Sequence, residues 1–110
     1  MTYVSRYDAN APTREALDTQ PGVVLLEFGA DWCGHCQAAQ PAIEAALRQP
    51  PALTHLKVED GKGRPLGRSF QVRLWPTLIL LRDGRELGRV VRPAGAGELT
   101  TLLAVLSDNV

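Results

Sequence analysis

The chain has 110 residues, the length of one ordinary domain, and its 45% apolar and 22% charged residues are typical of globular proteins. Its 12 lysines and arginines balance its 12 aspartates and glutamates, so no net positive field exists to attract nucleic acid or an anionic membrane. No apolar stretch approaches the roughly 20 residues that span a bilayer, and the start lacks a secretory signal. We therefore expect a single cytoplasmic domain over residues 1–110 that binds neither nucleic acid nor a membrane.

A short strand is predicted around Tyr3 and Val4, and a helix follows near residues 12–18. Residues 23–28 are then apolar apart from Glu27. Such a run after a Pro-Gly turn signal predicts a strand covered on both faces, which belongs in a sheet with helices on either side.

A helix is predicted from residue 33 to about residue 48, because good helix formers continue with apolar residues at helical spacing. Pro41 should bend this helix. Residues 53–60 alternate apolar and polar and predict a strand parallel to the first, with His55 at the surface. A short helix follows near residues 65–71.

The C-terminal part predicts a hairpin and a last helix. Residues 77–91 form two strands joined by Asp83-Gly84, a strong signal for an antiparallel pair. Residues 97–109 place four leucines along one helical stripe. The whole pattern predicts a three-layer α/β domain with a mixed central sheet flanked by helices, whose binding crevice lies beyond the carboxyl ends of the parallel strands, next to Cys33.

Cys33 and Cys36 are the two cysteines of the chain. A ring closed over two residues would stabilise the fold little, and His35 and His55 are too few to complete a zinc site. Redox exchange is therefore favoured over metal binding or an inert pair. Cys33, at the helix start, should form a stabilised thiolate and attack, and Cys36, one turn deeper, should resolve the mixed disulfide.

The motif ADWCGHCQAAQP after a strand, the kinked helix and the later LWPT resemble the thioredoxin family from about Asp8 onward. The resemblance implies a thioredoxin-like fold and a thiol:disulfide oxidoreductase that reduces protein disulfides without a bound cofactor. It also implies an upstream reductant such as a thioredoxin-reductase-like enzyme. We expect the protein to be a monomer.

The resemblance also assigns residues near the cysteines. Pro76 matches the family's cis proline, whose preceding backbone is free to pair with substrate, and Trp32 matches an apolar rim that meets substrate. Glu27 occupies the place of a buried aspartate; burial should raise its pKa and let it accept the proton of Cys36. Lys57 matches the lysine partner of that carboxylate. The alternatives are a glutamate at a sheet edge and a lysine on a solvated strand face.

Three residues depart from the usual family pattern. His35 makes the pair CGHC, as in protein disulfide isomerase, and should stabilise the Cys33 thiolate and make the protein a stronger oxidant. Trp75 and Arg92 are bulkier than the family's usual residues beside the substrate groove, so we expect a narrower set of partners. Two alternative functions remain at this point: a disulfide oxidase or isomerase, and a partner-binding or chaperone module with the same fold.

Overall fold

The computed structural model of the protein describes residues 3–48 and 52–107. Within them, one mixed sheet holds four strands: β1 (Val23–Gly29), β2 (Thr54–Glu59), β3 (Thr77–Arg82) and β4 (Arg85–Val91). Their order across the sheet is β2-β1-β3-β4, with β1 parallel to β2 and antiparallel to β3. The mixed sheet predicted from the sequence is confirmed.

Helices cover both faces of this sheet, so the predicted three layers are also confirmed. One core packs α1 (Arg14–Thr19) and α3 (Pro65–Ser69) against alternate residues of β1, and the other packs α2 (Gly34–Ala46) and α4 (Ala96–Ala104) against the opposite face. Because successive strand residues point to opposite faces, Leu26 reaches the first core and Leu25 the second. Glu27, next along β1, therefore points towards the α2 face.

The hairpin forms as predicted, with Arg82 paired to Arg85 across a two-residue turn. Asp83 and Gly84 both have positive φ, 51° and 82°, the backbone of a type I′ turn, which favours glycine. The Asp83 carboxylate also accepts the backbone N–H of Gly22 at 2.7 Å. This contact ties the hairpin turn to the start of β1.

The N-terminal strand around Tyr3 and Val4 was predicted wrongly. No strand forms there, because the Val4 N–H donates to the side chain of His55 instead of to a neighbouring strand. The chain reaches the edge of β2 further on, where Asp8 forms an isolated parallel bridge with Val58. Residues 3–8 therefore lie along the outer edge of the sheet.

Several helix ends also differ from prediction. Helix α1 starts at Arg14 because the Thr13 hydroxyl caps it, and α3 ends at Ser69, before the positive φ of Gln71. Helix α4 ends at Ala104, followed by a turn to residue 107, and residues 108–109 of the prediction lie outside the described residues. Pro41 lies inside α2 without ending it. None of the helices in the described ranges is long and apolar enough to cross a membrane.

Candidate active site

The two cysteines lie where β1 passes into α2, at the carboxyl ends of the parallel strands as predicted. Cys33 is the N-cap residue of α2, and its sulfur accepts the backbone N–H of Cys36 at 3.4 Å. Both are free thiols, and Cys33 is 9% exposed whereas Cys36 is 1% exposed. The Cys33 sulfur therefore lies at the helix start beside the Cys36 amide, and helix-start amides favour a negative charge.

The Cys36 thiol is enclosed by protein. Burial raises its pKa to about 11, because an apolar surrounding disfavours the thiolate. At neutral pH Cys36 is therefore a thiol and needs a group that removes its proton before it can attack.

Glu27 lies on a central strand and is fully buried, not at a sheet edge. Its Oε1 faces His55 Nε2 at 2.8 Å, and its Oε2 accepts hydrogen bonds from the Tyr7 hydroxyl and, at 3.0 Å, from Gln40 Nε2. Lys57 Nζ lies 4.0 Å from Oε2. The structure corrects the expected pKa direction: burial raises the pKa of Glu27, but the His55 hydrogen bond, the Lys57 charge and the other donors outweigh it and lower the pKa. Glu27 is an ionised, acceptor-only carboxylate at neutral pH.

Lys57 is buried beside Glu27 and does not lie on a solvated strand face. The two residues are register partners on β2 and β1. The Lys57 ammonium donates to the Ser5 carbonyl at 2.9 Å and to Gln40 Oε1 at 2.8 Å, and it lies 4.3 Å from the centre of the Tyr7 ring. Burial lowers the pKa of Lys57, while the charge of Glu27 opposes this shift.

His55, predicted at the surface, is 3% exposed. Residues 3–8 cover its strand at the sheet edge, which the alternation of β2 alone does not reveal. Its Nδ1 accepts the Val4 N–H at 2.9 Å. Because a backbone N–H can only donate, this nitrogen carries no proton, and Nε2 donates to Glu27.

Three residues whose side chains contact the Glu27 carboxylate were not predicted from the sequence to lie there. They are Tyr7, Gln40 and His55. Two of them carry a signal in hindsight, because Gln40 follows Cys36 by one helical turn and His55 shares a strand face with Lys57. Tyr7 precedes the first helix in irregular chain, where no periodicity predicts what a side chain contacts.

The rim around Cys33 contains both tryptophans. Trp32 is 72% exposed and packs edge-on against Trp75, with ring centroids 5.7 Å apart. The Trp75 indole donates to Asp60 at 2.9 Å, and the Trp75-Pro76 peptide bond is cis, as the resemblance implied. Trp75 also contacts the buried cluster that contains Cys33, so these residues share one surface.

Arg92 changes the expected substrate groove. Its φ is 49°, a conformation that favours glycine, which is the residue the family usually has there. The Arg92 Nε donates to the Trp75 carbonyl at 2.8 Å, and its backbone N–H donates to the Pro76 carbonyl at 2.9 Å. The expectation of free backbone before Pro76 is therefore wrong for the Trp75 carbonyl, which the guanidinium already occupies.

His35 is exposed in the first turn of α2. In the part of the chain that the structure describes, the hydrogen bond to the Cys33 sulfur comes from the Cys36 amide and not from His35. Among these residues, no group of three or more histidine, cysteine, aspartate or glutamate side chains could hold a metal ion.

The CGHC pair lies at a helix start, with Cys33 beside an aromatic rim and Cys36 enclosed near an ionised carboxylate. This arrangement is that of a thiol:disulfide oxidoreductase. The sequence model of the thioredoxin family matches residues 7–107. The chain belongs to the thioredoxin family.

Individual relatives agree with this assignment. Thioredoxin 2 of Pseudomonas aeruginosa PAO1, solved in its reduced form, superimposes with a TM-score of 0.82 at 56% identity, over 92% of this chain and 97% of that one. Thioredoxin of Chlamydia trachomatis serovar D is 39% identical over 89 residues, which are 80% of this chain and 83% of that protein. The bifunctional thioredoxin reductase/thioredoxin of Mycobacterium leprae is 39% identical over 88 residues, 79% of this chain but 19% of that protein.

Proposed function

We propose that this thioredoxin-family protein reduces disulfide bonds of protein substrates, with Cys33 as the attacking sulfur and Cys36 as the resolving one. The observation that carries the assignment of roles is that Cys33, at the helix start beside the tryptophan rim, is 9% exposed as a residue, whereas Cys36 is 1% exposed. A substrate disulfide can reach Cys33 at the rim, whereas Cys36 can reach only a sulfur already bonded to Cys33.

The reaction has two exchanges. The Cys33 thiolate attacks one substrate sulfur, the substrate disulfide breaks, and its other sulfur leaves as a thiolate that takes a proton from solvent. Cys36 then loses its proton towards Glu27 and attacks Cys33, which breaks the mixed disulfide and releases the second substrate thiol. The substrate gains two electrons, and the protein ends with a Cys33–Cys36 disulfide.

A reductant must then restore the dithiol. An enzyme of the thioredoxin-reductase class is the proposed donor, because the M. leprae relative is a bifunctional thioredoxin reductase/thioredoxin. We further propose that residues 1–110 act as one domain and a monomer in the cytoplasm, where the thiol pool is kept reduced.

The contact between Arg92 and the Trp75 carbonyl supports a narrower set of substrates. A substrate backbone that pairs with this carbonyl must first displace the guanidinium. Substrates that supply their own acceptor for Arg92 are favoured, because an unpaired charged donor is costly.

Two cysteine variants test the assignment. Cys36→Ser should accumulate mixed disulfides with a substrate such as insulin, and Cys33→Ser should neither turn over nor trap. Equal trapping by both variants would contradict the roles. The direction of the reaction is tested by equilibration with glutathione buffers: a reduction potential below that of the cytosolic glutathione pool supports a reductase, and one in the range of protein disulfide isomerase would contradict it.

A further inference from the structure

Tyr7 lies between the resolving thiol and the buried carboxylate. Its hydroxyl donates to Glu27 Oε2 and lies close enough to the Cys36 thiol that each group affects the pKa of the other. Gly29 leaves the space for this arrangement: a Cβ atom on Gly29 would lie 2.5 Å from the Cys36 sulfur and 2.7 Å from the Tyr7 oxygen. The Cys36 sulfur and the Tyr7 oxygen therefore both lie over a residue that has no side chain.

The direction of each hydrogen bond follows from what the groups can donate. Ionised Glu27 can only accept, so the Tyr7 hydroxyl proton must point to Oε2. The Tyr7 oxygen then has free lone pairs, and the Cys36 S–H is the donor that can fill one. The result is a continuous path in which the Cys36 thiol donates to Tyr7 and Tyr7 donates to Glu27.

The other neighbours hold the carboxylate in this orientation. His55 occupies Oε1 at 2.8 Å, and its ring is fixed in turn by the Val4 amide. Gln40 donates to Oε2 at 3.0 Å and bridges to the Cys36 carbonyl at 2.9 Å. Oε2 is thereby aimed at Tyr7 and not rotated away from it.

We propose that Tyr7 is a catalytic residue of the resolving step, relaying the proton of Cys36 to Glu27. The inference rests on the proposed role of Cys36 as the resolving sulfur. As the Cys36 sulfur bonds to Cys33, its proton passes to the Tyr7 oxygen and the Tyr7 hydroxyl proton passes to Oε2. The electron pair of the mixed disulfide leaves with the substrate sulfur. Tyr7 ends as it began, and Glu27 ends protonated.

The relay needs Tyr7 to remain a phenol, and its surroundings ensure this. Burial and the charge of Glu27 raise the pKa of Tyr7 far above its ordinary value. Tyr7 therefore gives up a proton only as it receives one. The charged and titratable groups that face this path are Cys33 at the N-cap of α2, Glu27 of β1, His55 and Lys57 of β2, Tyr3 of the N-terminal segment, and Asp31, whose charge acts on Lys57.

The test compares Tyr7→Phe with Tyr3→Phe. Both changes remove one phenol hydroxyl from the same cluster, but the Tyr3 hydroxyl donates to Gln40 Oε1 and lies off the path. Reduced protein is mixed in a stopped-flow instrument with a limiting amount of the disulfide 5,5′-dithiobis(2-nitrobenzoate). The first thionitrobenzoate released reports Cys33 attack, and the second reports resolution by Cys36.

We expect Tyr7→Phe to leave the first phase unchanged and to slow the second about tenfold or more at neutral pH, since positioned proton transfer supplies about 100-fold or more. The deficit should shrink as the pH approaches 11, near the pKa of Cys36, where solvent removes the proton. Tyr3→Phe should keep a resolution rate close to the unmodified one.

A resolution rate that Tyr7→Phe leaves unchanged would overturn the relay, as would equal slowing by both variants or a deficit that is the same at every pH. A two-proton relay also predicts a larger solvent deuterium isotope effect on the second phase of the unmodified protein than of Tyr7→Phe, and equal effects would contradict it. If Cys36→Ser still releases the second thionitrobenzoate, the assignment of the resolving sulfur has failed, whatever Tyr7 does.

Discussion

The two histidines of the chain provide a sharp test of the structure. The sequence predicted His55 at the surface and His35 beside Cys33, whereas the structure buries His55 between Glu27 and the Val4 amide and leaves His35 exposed. We therefore compare His55→Ala with His35→Ala. The first should unfold far more easily than the second, although both changes remove an imidazole.

The size of the effect follows from the contacts of His55. A hydrogen bond to a charged group contributes about 1.5–3 kcal/mol, and leaving a buried carboxylate oxygen without its donor adds to the loss. The ring also packs against Tyr3, with ring centroids 5.5 Å apart, and such contacts contribute about 0.5–1.5 kcal/mol. The free energy of unfolding should fall by about 3 kcal/mol, which lowers Tm by roughly 12 °C in a domain of this size.

Urea denaturation at pH 7 measures the difference directly. His35→Ala should stay within about 0.5 kcal/mol of the unmodified protein, as exposed substitutions usually do. If His55→Ala is as stable as His35→Ala, the buried position of His55 and its bond to Glu27 are both wrong.

The loss in His55→Ala should also depend on pH. The folded-state pKa of Glu27 is lowered from its ordinary 4.5, so its ionised contacts stabilise the fold fully above that value. This stability is lost as the pH falls through the folded pKa. Since His55 binds the ionised form, the difference between His55→Ala and the unmodified protein should shrink below pH 4.5, and a difference that grows in acid would refute the reasoning.

Three further changes give distinct results. Gly29→Ala should cost about 1–3 kcal/mol of unfolding free energy in urea, because its Cβ overlaps two neighbours, whereas Gly34→Ala, with nothing within 4 Å, should cost nothing; equal stabilities would contradict this packing. Arg92→Gly should raise kcat/KM on large protein disulfides by freeing the Trp75 carbonyl, and Arg92→Ala should share this gain; no gain from either means that the guanidinium does not restrict the groove. His35→Pro should lower the reduction potential measured in glutathione buffers, and an unchanged value would remove His35 from any role in setting it.

The predictions from sequence succeeded where a local pattern has one structural meaning. The apolar run of β1, the Asp83-Gly84 turn and the leucine stripe of α4 each predicted an element that the structure contains. The CGHC motif placed Cys33 at a helix start. Period, turn chemistry and helix capping act over a few residues, so they can be recognised from the sequence alone.

The environment of Glu27 was predicted only in part. Its burial and its Lys57 neighbour were expected, but the direction of its pKa shift was not. The direction depends on how many donors reach the carboxylate, and three of them, Tyr7, Gln40 and His55, come from three separate segments of the chain. Burial alone favours a protonated acid, whereas these donors and Lys57 together favour the carboxylate.

The sequence by itself therefore determined the order of the elements, the hairpin turn and the helix start at Cys33, since each follows from contacts between residues close along the chain. Only the tertiary structure decided which side chains surround Cys36. These side chains come from residues 3–8, β1, β2 and α2, and no local sequence pattern predicts that they come together. Three features depend on this packing: the charge of Glu27, the burial of His55 and the position of Tyr7 beside the resolving thiol. The proposed path by which Cys36 loses its proton depends on it too.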